Sequence, residues 1–482
     1  MPSASFVGNE ILVNQVTAGS QSGPTAALLS NGNYVVAFTG DPQNVFARIL
    51  DSNGTPIGAD IPISGGTGSV ASLAALPGGG FVVGWNGDDG PSGSPSTGIR
   101  AQVFDNDGVP VEEAFLVNTT TDGNQSTVDI AALADGRFVA TWTEFVPSVG
   151  FNAVKARLFA ADGTPLSPEF QVDPVGSGGS TPSIAALTGG GFAVAWHSWP
   201  DQREVHVQIF DENAQKVGNP LPVGPDTDRD RSDPAITALP DDAFVVTWKS
   251  DAPGPVTVGV YEVEARVFNG DGSPRSEVFA VNSQPTGFNP QGLTVQGFAD
   301  GRFLIVWPDY SGTFGDTSQG AIVGQMYDPS GTPIFVEFRI NTQTVNGQFD
   351  PALSALSNGT LLVAWTDQGA SLGVDVKAQL LELSLPQLFD GTDNVVDFNA
   401  VDPSFYSGPF NNAGGGNDIA TLPDSSGDVT SLGIAGGFFG GDGNDVLTRG
   451  AAYVPLIGGE GTTSSTAATA MTSSPAKRAT TR

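Results

Sequence analysis

Two histidines, no cysteine and 51 acidic residues bound the chemistry open to this chain of 482 residues. His197 and His206 are too few for a histidine-built zinc centre, and without thiols neither a disulfide nor a thiolate metal site can form. Neither histidine belongs to a nucleophile elbow, a phosphate-binding loop or a zinc-protease helix. Paired carboxylates remain as a source of a general acid and base. The acids that could supply them stand in loops: Asp88, Asp89, Glu144, Asp201, Glu204, Asp251, Asp309, Asp316 and Asp367. On a chain with net charge −32 such acids are expected to be mostly solvated, so catalysis by them is disfavoured. The same charge opposes nucleic acid and anionic lipid and favours multivalent cations, which only oxygen ligands could hold here.

Aromatic residues offer a second kind of chemistry, the stacking of sugar rings. Trp85, Trp142, Trp196, Trp248, Trp307 and Trp365, with Phe38 before them, end seven copies of one cassette, and successive copies lie 47 to 59 residues apart. Each copy is a tight turn such as LPGGG or LADGR followed by an apolar run such as FVVGW. Recurrence at one position favours packing between repeats over a sugar platform. Trp199, beside His197 and outside the pattern, is the better candidate for an exposed ring, although packing is the simpler reading there too.

The elements that carry these residues follow from the repeat. Around each cassette lie four short apolar segments bounded by Gly, Asn and Asp, which read as strands joined in sequence. The period is that of a four-stranded propeller blade. The third segment recurs seven times, from VFARILD to VKAQLLE, but the fourth follows it only six times, and the seventh copy, EILVN at 10–14, stands at the N-terminus. The expected fold is therefore all-β, a seven-bladed β-propeller closed by the N-terminal strand beside 376–382. The short turns collect on one face. The longer loops after each Trp, including 86–98, 143–152, 197–204, 249–262 and 308–320, collect on the other, which is the expected ligand face. The turn DNDG at 105–108 is read as a hairpin rather than a calcium loop.

After Leu385 the repeat stops and a Gly-, Asn- and Asp-rich stretch begins. GGDGNDVLT at 440–448 fills every defined position of the nonapeptide GGxGxDxUx, with AGGGNDIAT at 413–421 and GGEGTTSST at 458–466 in phase. Here the chain resembles the RTX, or hemolysin-type calcium-binding repeat, family of bacterial exported proteins. That resemblance implies a short degenerate parallel β-roll holding calcium as cofactor through Gly440, Gly441, Asp442, Gly443, Asp445, Asp418, Gly458 and Glu460, with Leu447 inward. Val454 and Thr463 replace the motif Asp in the following copies. It also implies type I secretion, consistent with a start, MPSASFVGNEILVN, unlike an N-terminal secretory signal. The final stretch carries no Gly and no acid from 464 onward, and a shifted reading frame would restore the nonapeptide.

The expected organisation is a propeller at 1–388, a degenerate RTX-like calcium-binding region at 389–463 and a disordered, frameshifted tail at 464–482. The expected function is a secreted, extracellular or cell-surface calcium-binding matrix protein. Its propeller would bind an extracellular glycan or protein on the long-loop face, with neither nucleic acid nor a membrane span. The alternative is an extracellular propeller enzyme acting on carbohydrate or another polymer. No catalytic residue is assigned.

Overall fold

A computed structural model describes residues 3–384 apart from 65–67, 89–96, 200–202, 226–228, 252–260, 288–289, 291, 317–319, 335, 356–359 and 370–372. Beyond 384 it describes 395–397, 419–422, 438–439, 445–449, 454, 456–457 and 464–467. Two compact units result, Ala4–Leu383 and a C-terminal unit beginning at Ser384, which also takes in Met1–Ser3.

The first unit is a seven-bladed propeller of seven antiparallel four-stranded sheets. Blades 1 to 6 span 22–62, 68–116, 125–171, 180–222, 231–280 and 294–339. Blade 7 takes three strands from 348–384, and its fourth and outermost is Ser3–Leu12, lying beside Val374–Ser384. Chain ends that pair in one sheet leave no open ring edge, as the displaced EILVN copy implied. Val13 N–H donates to Val376 O at 2.9 Å and Val376 N–H to Asn14 Oδ1 at 2.8 Å.

The second strand of each blade is apolar on both faces because it is packed between two neighbouring blades. Blade 4 residues Ala193, Ala195, Val205 and Val207 share one core with Phe244, Val246 and Trp248 of blade 5. All six cassette tryptophans are buried, as the packing reading requires. In blades 2 to 6 the Phe opening the second strand stacks on an aromatic ring ending the third, as in Phe192 with Phe210, whose ring centroids lie 4.7 Å apart.

Two polar devices repeat with the blades. Asn118, Asn282, Asn341 and Asn14, each following a fourth strand, accept the N–H of Ile99, Val263, Ile322 and Val376. Each also donates onward to the carbonyl two residues later, which fixes the exit loop. Hairpin aspartates cap their own turns: Asp105 Oδ1 accepts from Asp107 N–H and Val109 N–H, the hairpin geometry expected of DNDG. Gly136, in the ADGR turn, has φ +92°, a conformation that L side chains rarely adopt.

In the C-terminal unit, strands Val395–Asp397, Ile419–Thr421, Val446–Arg449 and Ser464–Ala467 form a parallel sheet, and Phe438–Phe439 pairs in parallel with Leu456–Ile457. The register pairs Ile419 with Val446, Val446 with Ser464 and Phe438 with Leu456, offsets that are multiples of nine, whereas Val395 pairs with Ile419 at an offset of 24. The nonapeptide period thus matches the pairing from Ile419 onward, with Leu447, Ala420, Phe438 and Val454 buried. The segment read as a disordered tail from 464 begins with a strand of this sheet.

Candidate functional site

The innermost strands of blades 3, 4 and 5 carry a β-bulge near their start, at Ser126/Asp129, Ser180/Ser183 and Ser232/Ala235, with counterparts in blades 1, 2 and 7. The bulged residue takes positive φ: Thr127 +49°, Thr181 +47°, Asp233 +48° and Asp350 +51°, with glycine at Gly23. Positive φ is rare for β-branched residues, so the bulge is imposed by the ring and re-aims these side chains. They turn toward the residue that follows the blade aromatic on the second strand. Thr127 Oγ1 donates to Thr143 Oγ1 at 2.7 Å, Thr181 Oγ1 lies 2.7 Å from His197 Nδ1, and Asp233 pairs with Lys249 Nζ.

Around the ring that position is Thr39, Asn86, Thr143, His197, Lys249, Pro308 and Thr366. Only blades 4 and 5 place ionisable groups there, side by side, and a cleft of about 570 Å³ opens over them. Its walls include Phe145 and Phe151 of blade 3, Trp199 and Arg203 of the loop after His197, and Asp233. The three rings are exposed: Trp199 by 46%, Phe145 by 41% and Phe151 by 38%. The Arg203 guanidinium lies over the Trp199 ring, 4.9 Å from its centroid.

Local sequence explains how Trp199 is held. Asp173 replaces the Asn that usually follows a fourth strand. One oxygen keeps the usual bond, accepting from Val154 N–H at 2.9 Å, while the second accepts from Ser177 Oγ and from Gly179 N–H. The ordered 173–179 loop then accepts Trp199 N–H on Ser177 O at 2.9 Å. Gly178, at φ +68°, lets the Trp199 backbone approach; a Cβ there would sit 2.3 Å from Trp199 O. Arg203 is anchored by its backbone, its N–H donating to Asp230 Oδ1 and its carbonyl accepting from Arg231 N–H.

Burial lowers the His197 pKa below the ordinary histidine value; Asp233 opposes this, and Arg203 and Lys249 reinforce it. The imidazole is therefore neutral at pH 7 and able to accept a proton. His206 is likewise lowered by burial, with Glu204 opposing, and stacks on Trp196 within blade 4.

The loop acids do not assemble into a pair. Among those described, Asp88, Glu144, Glu204, Asp251, Asp309, Asp316 and Asp367 are spread over six blades, and Asp89 and Asp201 lie outside the described residues. Glu144 is buried 3.9 Å from Lys155 Nζ, Asp309 caps Ser311, and Asp367 is tied to Lys377 and Gln348. Burial raises the pKa of Glu144 and of Asp309. Among the described residues no group of three or more His, Asp or Glu could hold a metal ion. Of the expected calcium residues only Asp445 is described, buried at the start of Val446–Arg449. Gly440, Gly441, Asp442, Gly443, Asp418, Gly458 and Glu460 lie outside the described residues. No helix is long and apolar enough to cross a membrane among the residues described.

No family model and no curated protein matches the chain. Solved structures do match its fold. An ulvan polysaccharide lyase bound to -[GlcA(1-4)Rha3S]- is 11% identical, with a TM-score of 0.50 over 77% of this chain and 95% of that one. A protein of unknown function from Dyadobacter fermentans is 12% identical, with a TM-score of 0.49 over 80% of this chain and 100% of that one. An alpha-L-arabinofuranosidase from Fusarium graminearum is 9% identical, with a TM-score of 0.45 over 78% of this chain and 98% of that one. The expected function is corrected here: a secreted calcium-binding surface or matrix protein, with its RTX, hemolysin-type and type I secretion associations, has no counterpart among these structures, and the match at a TM-score of 0.50 is a polysaccharide lyase. What this chain shares with them is the propeller fold.

Proposed function

We propose that the propeller is an enzyme acting on an extracellular polysaccharide at the cleft over blades 3 to 5, with His197 as its proton-transfer residue. The observation that carries this reading is the convergence of three exposed aromatic rings, Trp199, Phe145 and Phe151, around a half-buried histidine. Aromatic faces pack against the apolar C–H faces of sugar rings, and an open cleft on a rigid scaffold admits a polymer. The ulvan lyase that shares the fold acts on such a polymer. Among the described residues the cleft holds one carboxylate, Asp233, already engaged by Lys249, so the two free carboxylates of an ordinary glycoside hydrolase are not assembled there.

Thr181 Oγ1 at Nδ1 fixes the orientation of His197 and leaves Nε2 as the nitrogen free to exchange a proton with a bound sugar. The test is release of oligosaccharides from a panel of polysaccharides by the full chain, read by chromatography. The expected result is cleavage of at least one polymer, lost by a factor of about 100 or more in His197→Ala while binding persists. Full activity in that variant, or no polymer bound or cleaved, refutes the reading.

A further inference from the structure

We propose that the polymer taken by this cleft is acidic, with a carboxylate or sulfate group held by Arg203. The proposal rests on the carbohydrate reading above and names the class of sugar. Its starting point is a local reversal of charge. The chain carries 51 acidic against 19 basic residues, yet among the described residues the cleft is lined by Arg203, a neutral His197 and Lys249, with Asp233, the partner of Lys249, as the one carboxylate.

Arg203 is the telling group. Elsewhere in the propeller, described arginine side chains are tied either to carboxylates, as Arg48 to Asp60, Arg137 to Asp135, Arg229 to Glu262 and Glu264, and Arg302 to Asp300, or to carbonyl oxygens, as Arg100 to Asp88 O, Arg157 to Ser167 O, Arg266 to Ser276 O, Arg275 to Asn269 Oδ1 and Arg339 to Phe314 O. Among the described residues no carboxylate lies within ion-pair distance of the Arg203 guanidinium, which rests on the Trp199 face. The contact with the ring holds the guanidinium in place and leaves its N–H groups for a ligand. Those groups match the two oxygens of a carboxylate or sulfate.

Lys249 is placed by the same device that places His197. It follows Trp248 on the second strand and is buried, so its ammonium needs a partner in the folded protein. Asp233 provides one from the neighbouring bulge, so Lys249 is already paired and, among the described residues, Arg203 is the cation left to meet an anionic ligand in the cleft. A sugar ring stacked on Trp199 would thus bring a ring substituent to Arg203, with Lys249 and His197 next along the same wall. Hydroxyls of a neutral polysaccharide can accept single hydrogen bonds from Arg203, but only a carboxylate or sulfate adds the opposite charge and the paired oxygens that match its fork.

Binding of the full chain is measured calorimetrically with polygalacturonate, alginate and ulvan, each beside its carboxyl-reduced form, with desulfated ulvan, and with neutral arabinan and xylan. At least one acidic polymer should bind, and removing its anion should weaken binding by about tenfold or more. Loss on carboxyl reduction identifies a carboxylate, and loss on desulfation a sulfate. Arg203→Ala should weaken the acidic ligand by a similar factor, and Arg203→Lys should recover part of it. Trp199→Ala weakens any sugar and serves as the control for the cleft itself. Preference for arabinan or xylan, or equal binding of the anionic and neutralised forms, overturns the proposal while leaving the carbohydrate reading intact. Binding of none of these polymers removes both.

Discussion

Replacing Asn14 by alanine isolates the contact that closes the ring. Asn14 is buried, its Oδ1 accepts from Val376 N–H at 2.8 Å, and its Nδ2 donates to Val16 O and to Asp375 Oδ1, both at 2.9 Å. The variant strands the Val376 amide, which is fully buried, whereas the carbonyl of Val16 can turn to water because that residue is exposed by 55%. The cost is therefore close to that of one orphaned buried donor, about 1–3 kcal/mol. Hydrogen exchange reads it directly: amide protection at Val376 should fall roughly 5- to 150-fold. Asn118→Ala removes the matching bond to Ile99 within blade 2 and should cost a similar amount globally. Only Asn14→Ala should also raise exchange along 374–384, because only there does the lost bond join the two ends of the chain. Unchanged protection at Val376, or the same spread of exchange in both variants, would refute the closure account.

Other outcomes follow from the same geometry. Because burial depresses the His197 pKa, activity that needs its neutral form should persist above that pKa and be lost on its acid side, with the acid limb of kcat/KM below about 6.5. Asp233→Asn removes the group that opposes the depression and should move that limb to lower pH; a shift upward contradicts the assignment. Burial raises the Glu10 pKa, but amide bonds from Gln343 and Thr342, a Thr342 hydroxyl bond and Lys377 outweigh it, so the folded value is lowered. Its contribution to ring stability is complete above about pH 4.3, its unfolded range, and lost as pH falls through the folded value; Glu10→Gln should flatten that part of the pH–stability curve. Asp173→Asn keeps the Val154 bond but weakens the support of the 173–179 loop. It should lower affinity at the cleft several-fold with little change in denaturation midpoint, which ligand titration and urea unfolding separate.

The propeller was legible because sevenfold packing repeats its demands. A strand buried between two blades must be apolar on both faces, and it must end in a large ring, in every copy. The closing strand showed itself as a fourth segment out of place at 10–14. The cleft was harder to see because it is a break in that symmetry at single positions. His197 and Lys249 stand where the other blades have Thr39, Asn86, Thr143, Pro308 and Thr366, and aligning the residue after each cassette aromatic would have exposed them. The positive φ values of Thr127, Thr181 and Asp233 come from the crowding of seven inner strands around an axis, which no local propensity carries. The aspartate in EFQVD, in place of the usual Asn, was visible in the sequence, but its second oxygen acquires a role only when the 173–179 loop folds back under Trp199. The loop acids drew attention because charge is easy to count, whereas their burial beside Lys155 or Lys377 depends on cross-strand register.

The most direct test of the central claim is a crystal structure of the full chain soaked with an acidic oligosaccharide that it binds. The account predicts a sugar ring against Trp199, its anionic group at the Arg203 guanidinium and a reacting carbon within reach of His197. A sugar seated on blades 6, 7 and 1, or in the axial channel walled by Pro24, Thr127, Asp129 and Pro351, would contradict it.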